Sequence, residues 1–317
     1  MNPAEIHSKK ILISPLNWGM GHVSRCIPLI HKLLQNQNSV FIACDDSQKN
    51  IFNQYFYEKV KFIDHAGYPF QFSGKGNYVM DLFFSMKKLM RRSKSELIEV
   101  DRFVKNFKID IVISDHRYAF RSSTCQSIFM THQLNLPISW CQFPFKLYHK
   151  KQIKQFDFIW IIDNNTKSIA GKLARIGDYK NAQNIGILSR FMLYKQQENK
   201  TENVLIISGP KAYWSQLLLL FSKELNSGDI QTILGPSESL KLIEKLKLNQ
   251  TFISSENWIQ CDKVLLRTKT IVGYIGYTTL MDVQVLNCES NLKPSAGQSE
   301  QEYLKIWQKK IPNEFGI

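Results

Sequence analysis

The chain has 317 residues, 44% of them hydrophobic and 21% charged, enough apolar material for a large core and, at this length, for two domains. Its formal net charge of +14 favours acidic partners such as an anionic lipid surface, nucleic acid or acidic small molecules, yet no RNA- or DNA-binding signature accompanies it. No apolar run is long enough to span a bilayer, and residues 11–16 are too short for a signal-peptide core. The six cysteines are scattered, with no Cys-x-x-Cys pair and no histidine at metal spacing, so reduced core thiols in a cytoplasmic protein are expected.

Short β-rich runs predict strands at 10–14, 39–43, 60–64, 110–114, 137–140 and 158–162. Helical patterns lie between them at 22–35, 47–56, 79–107 and 166–174. That alternation signals a parallel sheet covered on both faces. Pro28 falls inside the first helix, where its missing N–H and its ring predict a kink. In the long third helix Lys87, Lys88, Arg91, Arg92 and Lys94 interleave with Leu82, Phe83, Phe84, Met86, Leu89 and Met90. One basic and one apolar face result, suited either to a membrane interface or to a helix packed on the core with its basic face in water.

Residues 195–203 are polar, lack apolar periodicity and read as a linker between a domain at 1–194 and one at 204–317. Beyond it the alternation restarts, with strands at 204–208 and 231–234 and helices at 213–225 and 237–246. A strand–glycine–helix unit follows at 270–279, and a last helix runs from about 300 to 309.

The first strand leads into Asn17-Trp18-Gly19-Met20-Gly21-His22 and then a helix. Such a loop presents backbone N–H groups at the carboxyl edge of a parallel sheet, where ligands bind in open α/β folds. It lacks the third glycine of a dinucleotide fingerprint, although Asp45 and Asp46 follow the second strand. A Walker pattern, a serine-hydrolase elbow and an Asp-x-Asp pair are all absent.

Three segments together are more specific: residues 11–34, Gly276-Tyr277-Thr278-Thr279-Leu280-Met281-Asp282, and Pro294-Ser295-Ala296-Gly297-Gln298-Ser299-Glu300-Gln301-Glu302-Tyr303. With Ser114-Asp115-His116-Arg117-Tyr118 and Thr131-His132-Gln133-Leu134, they make the chain resemble the family-28 (MurG-like) glycosyltransferases over most of its length. The resemblance implies an α/β chain of the GT-B fold, two Rossmann-like parallel-sheet domains facing a central cleft. It implies a metal-independent, inverting hexosyl- or N-acetylhexosaminyl-transferase. A nucleotide sugar, UDP-linked, is its substrate rather than a cofactor, and the acceptor is a hydroxyl, lipid-linked or of the cell envelope. No cofactor, metal or nucleic acid is expected. The place is the cytoplasm or, through the basic helix, the anionic inner face of the plasma membrane.

By the same resemblance the N–H groups of Gly276, Tyr277 and Thr278 receive the donor diphosphate, and Asp282 bonds the ribose hydroxyls. Gln298, Gln301 and Glu302 lie at the donor sugar. His22 is the candidate base, since sugar transfer needs a group titrating near neutrality to take the acceptor hydroxyl's proton. Asp115, at a strand end on the same sheet edge, is the candidate to orient it, and Gly19 and Gly21 clear the acceptor side of the loop. The family's Arg-Ser before the second glycine loop is replaced by Tyr274-Ile275, which leaves Arg267 and Lys269 as the nearest cations in sequence. Two other readings stay open. One is a sugar-nucleotide 2-epimerase of the same fold, and the other is a non-catalytic relative that binds membranes or ligands.

Overall fold

A computed structural model describes residues 1–70, 78–137, 143–166 and 168–310. The chain divides into two compact units, the first within Met1–Ser189 and the second from Arg190 onward.

Among the described residues the first unit has seven strands: β1 (Lys10–Pro15), β2 (Ser39–Cys44), β3 (Lys61–Asp64), β4 (Ile111–Asp115), β5 (Gln126–Thr131), β6 (Phe158–Ile161) and β7 (Ala182–Asn184). They pair in parallel in the order β3-β2-β1-β4-β5-β6-β7. The described helices are α1 (Met20–Gln35), α2 (Asp46–Phe56), α3 (Tyr78–Phe107) and α4 (Phe143–Ile153). Burial explains why the strands read as unbroken apolar runs: Ile11, Leu12, Ile13, Val112 and Ile113 are almost fully enclosed, as a sheet covered on both faces requires. On one face Leu12, Phe41, Ala43 and Val112 pack against Val100, Phe103 and Val104 of the carboxyl half of α3.

The second unit repeats the plan. Strands β8 (Glu202–Ile206), β9 (Thr232–Gly235), β10 (Thr251–Ser254), β11 (Thr268–Tyr274) and β12 (Glu289–Lys293) form a parallel sheet ordered β10-β9-β8-β11-β12. Its helices are α5 (Trp214–Leu220), α6 (Ser222–Asn226), α7 (Leu240–Lys245), α8 (Trp258–Leu265), α9 (Tyr277–Leu286) and α10 (Ser299–Gln308). Strand order therefore reverses direction between β1 and β4 in one sheet and between β8 and β11 in the other, the point at which doubly wound folds bind ligands.

Several expectations change. The strand expected at 137–140 lies almost wholly outside the described residues, and β5 takes a place beside β4 that sequence patterning does not assign. The helix expected at 166–174 is only a short turn at Gly171–Ala174. There the buried Asp163 carboxylate accepts from the N–H groups of Asn164, Ile169 and Ala170 at 2.8, 2.8 and 3.3 Å, a local alternative to helical bonding. The helix expected at 213–225 is interrupted at buried Phe221, between α5 and α6. Strands β7, β10 and β12 and helices α4 and α8 are further elements that patterning leaves unassigned. Helix α1 runs on through Pro28. Strand β8 begins at Glu202, inside the stretch 195–203 read as a linker.

Asp45 and Asp46, placed after β2, serve the helix that follows: the Asp45 side chain caps α2 by accepting from Gln48 N–H at 3.0 Å. Replacing this cap in Asp45→Ala should lower unfolding free energy by about 1 kcal/mol, read as a lower urea midpoint at unchanged m-value.

Candidate active site

In the first unit the ends of β1 and β4 meet at the reversal point, with Pro15 registered on Asp115 and Leu16 N–H donating to the Asp115 carbonyl at 3.1 Å. The loop leaving β1 is clamped by Asn17, whose amide accepts from Tyr68 N–H at 2.8 Å and donates to Tyr68 C=O at 3.3 Å. Gly67 permits this clamp, because a Cβ there would stand 2.1 Å from Asn17 Nδ2. Gly19 then caps α1 in extended backbone, and a Cβ on it would meet nothing within 4 Å among the described residues. His22 stands in the first turn of α1, its side chain 18% exposed.

His22 Nδ1 lies 2.9 Å from Oδ2 of Asp115, whose side chain is wholly buried. Sequence reasoning brings these two together. It does not assign Arg25, one helical turn beyond His22 and 2% exposed. Arg25 Nε donates to both Asp115 oxygens at 2.9 Å, and its Nη2 also bonds Oδ1. The guanidinium reaches Nδ1 of His22 at 2.8 Å and Nδ1 of His132 at 3.2 Å. A signal was present: an arginine on a helix stretch whose neighbours Val23, Cys26 and Ile27 are apolar needs a buried acid.

These contacts set the electrostatics. Burial alone raises the Asp115 carboxyl, but Arg25 and His22 outweigh it and hold it well below the usual carboxylate range. Burial and the Arg25 charge lower His22 from its ordinary 6.5, against the opposing pull of Asp115. Burial likewise pushes His116 well down, and its ring meets His22 edge-on with centroids 6.2 Å apart.

A second buried network braces the same edge. Glu96 of α3 is fully enclosed and accepts from His65 Nε2 at 2.9 Å, Tyr68 Oη at 2.5 Å and Arg117 Nε at 2.9 Å. It ties the loops after β3 and β4 to α3.

In the second unit Gly276 caps α9 with no side-chain hydrogen bond to the cap. Its backbone is extended, and a Cβ there would meet only Thr279 Oγ1 at 3.7 Å, an ordinary contact. Tyr277 is buried. Asp282 accepts from Arg190 Nη1 at 3.1 Å, while Arg190 Nε donates to Asp262 at 2.7 Å and the guanidinium covers the Trp258 ring at 4.9 Å. Asp282 therefore belongs to an ion-pair network that sequence reasoning does not assign. Gln301 Oε1 accepts from the N–H and hydroxyl of Ser295 at 2.7 and 2.9 Å, so it holds the turn before α10. Gln298 caps α10 and Glu302 is exposed in its first turn.

Tyr274 and Ile275 are core residues, with Tyr274 Oη donating to the Tyr213 carbonyl at 3.0 Å. Arg267 and Lys269 stand at the start of β11, and its seven residues at ~3.3 Å each carry the chain about 20 Å away before Gly276. Neither cation replaces the arginine that the resemblance leads one to expect.

No protein-family model matches the chain, and no curated protein sequence matches it. Solved structures do. The glycotransferase of kitacinnamycin superposes with a TM-score of 0.64 at 12% identity, over 96% of this chain and 85% of the other. Arabidopsis thaliana UGT89C1, complexed with UDP-L-rhamnose, gives 0.61 at 13% identity, over 96% and 83%. Acinetobacter baumannii MurG gives 0.52 at 12%, over 95% and 83%. The fold is that of the GT-B glycosyltransferases.

Burial raises the Glu96 carboxyl, but Arg117 and His65 reverse the effect and bring it from 4.5 to about 2. A carboxylate lowered by folding stabilises fully above its unfolded value and loses that contribution as pH falls through the folded one. Glu96 should thus contribute on the order of 3 kcal/mol above pH 4.5, lost towards pH 2. Urea unfolding followed against pH should show Glu96→Gln destabilised at pH 7 and less sensitive to acid than the wild type between those limits.

Proposed function

We propose that the protein is a glycosyltransferase that moves a sugar from a nucleotide diphosphate donor to a hydroxyl acceptor, with inversion and without a metal ion. The observation that carries this reading is the His22–Asp115 pair at the carboxyl edge of β1 and β4, with the histidine 18% exposed and the carboxylate wholly buried. A neutral imidazole there can take the acceptor's proton, and Asp115 can stabilise the imidazolium that forms.

The donor belongs to the second unit. Neither Gly19 nor Gly276 is required by backbone conformation or by packing against the protein. A ligand drawn close to each helix N-terminus supplies the reason, and at α9 the aligned N–H groups suit a diphosphate. Solved structures of similar fold hold nucleotide diphosphates: UGT89C1 is complexed with UDP-L-rhamnose, and the spinosyn rhamnosyltransferase SpnG with thymidine diphosphate. Asp282 fits a ribose contact, with Arg190 fixing the carboxylate. Gln298, Gln301 and Glu302 cluster at the start of α10 for the donor sugar. With Tyr274 and Ile275 in the core, diphosphate recognition rests on backbone N–H groups and the helix dipole rather than on an arginine fork. The 2-epimerase reading gains nothing from the solved relatives named above, all of them transferases.

The acceptor is lipid-linked and is met at an anionic membrane surface. On α3 the amino half turns Phe83 and Phe84 outward, 64% and 73% exposed, beside exposed Met80 and Met90 and the cations Lys87, Lys88, Arg91 and Lys94. Apolar and basic side chains thus share the solvent face, unlike a helix that only buries its apolar side. No helix among the described residues is long and apolar enough to cross a membrane.

Three experiments test this. A thermal-shift screen of UDP- and dTDP-sugars should find a donor that raises Tm for the wild type and His22→Ala alike. Transfer to a panel of hydroxyl acceptors should then fall by about 10²–10⁴ in kcat for His22→Ala, and fall also for Asp115→Asn. The base is needed unprotonated, so the wild-type rate should be full above the His22 midpoint and decline only below pH 6.5. Stabilisation by no nucleotide sugar would overturn the reading. For the membrane surface, sedimentation with phosphatidylglycerol vesicles should be salt-sensitive and weakened several-fold by Phe83→Ser with Phe84→Ser, whereas equal binding to neutral vesicles would refute it.

A further inference from the structure

Nδ1 of His22 has two neighbours that make opposite demands on it. Oδ2 of Asp115, 2.9 Å away, can only accept a hydrogen bond; Nη2 of Arg25, 2.8 Å away, can only donate one. A neutral imidazole nitrogen carries either a hydrogen or a lone pair, so it satisfies one neighbour at a time. With the hydrogen on Nδ1 the ring donates to Asp115, and Nε2 is left as a base. With the lone pair on Nδ1 the ring accepts from Arg25, Nε2 carries the hydrogen, and the ring cannot take a proton from an acceptor there.

Arg25 is not free to withdraw from this contest. Its Nε spans both oxygens of Asp115 at 2.9 Å, Nη2 bonds Oδ1, and Nη1 faces Nδ1 of His132 at 3.2 Å. A guanidinium does not deprotonate in proteins, so His132 must accept at Nδ1 and hold its own hydrogen on Nε2. The charge of Arg25 also opposes a second charge on the His22 ring. Among the described residues, the other ionisable groups around the ring are Asp115 on β4, His116 after it, His132 after β5, and Cys26 on α1, whose Sγ lies 3.9 Å from Asp115 Oδ2. Burial keeps the Cys26 thiol protonated, so Asp115 is the one negative group among them.

We propose that Arg25 is a positioning residue that competes with Asp115 for Nδ1 of His22 and thereby governs the tautomer of the ring and its readiness to accept a proton. The consequence for transfer rests on the reading of His22 as the base. In the resting protein the Arg25-bonded tautomer is substantially populated, and transfer proceeds from the Asp115-bonded one. In that form the acceptor's O–H proton passes to Nε2 and its oxygen bonds the anomeric carbon. The bond from that carbon to the donor phosphate breaks, with its electron pair leaving on the diphosphate oxygen. The imidazolium then donates from Nδ1 to Asp115, and Arg25 favours its prompt deprotonation.

Ring ¹⁵N shifts and the ¹Hε1 titration of His22, read by long-range ¹H–¹⁵N correlation, test this on the whole protein without any substrate. The wild type should titrate below 6.5, with a substantial share of the neutral ring carrying its hydrogen on Nε2. In Arg25→Met the neutral ring should move to the Nδ1–H form and the midpoint should rise by about one pH unit or more. Ring shifts and midpoint unchanged by the substitution would refute the proposal. Should that variant not fold, the wild-type spectrum alone decides: a ring wholly in the Nδ1–H form with a midpoint above 6.5 overturns it. Because these readings need no transfer, a protein that turns over no nucleotide sugar leaves the inference standing. Conversely, a proven transferase with unaltered ring spectra loses it.

Discussion

The first unit depends on how it neutralises one buried cation. Arg25 is enclosed beneath the sheet edge, where an unpaired guanidinium would cost several kcal/mol in lost hydration. Asp115 meets that charge from the end of the adjacent strand, through Nε and Nη2 together. Satisfying the pair fixes the seat of α1 on β4, the rotamer of the carboxylate and the position of His22 one turn away. A catalytic-looking dyad is thus a by-product of a structural demand. The same demand limits the dyad, because the carboxylate that orients the histidine is already shared with an arginine. The imidazole at this edge is shifted toward its neutral form rather than toward the cation.

Both units share one topology and line it with unlike groups. Parallel strands need crossover helices, which bring every strand's carboxyl end to a single edge, and the reversal of strand order opens a gap there. At β1 and β4 the edge carries ionisable side chains, with Asp115 ending β4 and His22, His116 and His132 following the ends of β1, β4 and β5. At β8 and β11 it is lined by backbone: Gly276 opens α9 and the side chains before it are turned into the core. Proton transfer requires groups that titrate, whereas a diphosphate is held well by fixed N–H dipoles. Asp282 is paired with Arg190, which also pairs with Asp262 and lies over Trp258.

Much of this was legible in the amino-acid order. Apolar runs such as 10–14 and 110–114 mark buried parallel strands because both of their faces are covered, and glycine before a helix marks a place where backbone is presented. Strand β12 was not legible. It reads Glu-Ser-Asn-Leu-Lys, with Leu292 alone deeply buried, because an edge strand owes its place to pairing with β11 rather than to its own pattern. Strand β5 carries only the short apolar run Ile128–Phe129–Met130, which periodicity cannot tell from a helix segment. The helix expected at 166–174 failed because Asp163 offers its backbone a competing set of bonds.

The sequence by itself determined the α/β alternation, the two strand–glycine–helix units and the candidacy of His22 and Asp115. Hydrophobic periodicity and glycine placement are local properties, readable within a few residues. Only the tertiary structure decided what those residues do to one another. Arg25 and Asp115 are 90 positions apart in the chain, and His132 lies 107 beyond Arg25. Their meeting is set by the register of β1 on β4 and of β4 on β5, and no local pattern records it. The opposing claims of a donor and an acceptor on one ring nitrogen arise only at that junction. They follow from a buried arginine sharing one carboxylate with a histidine.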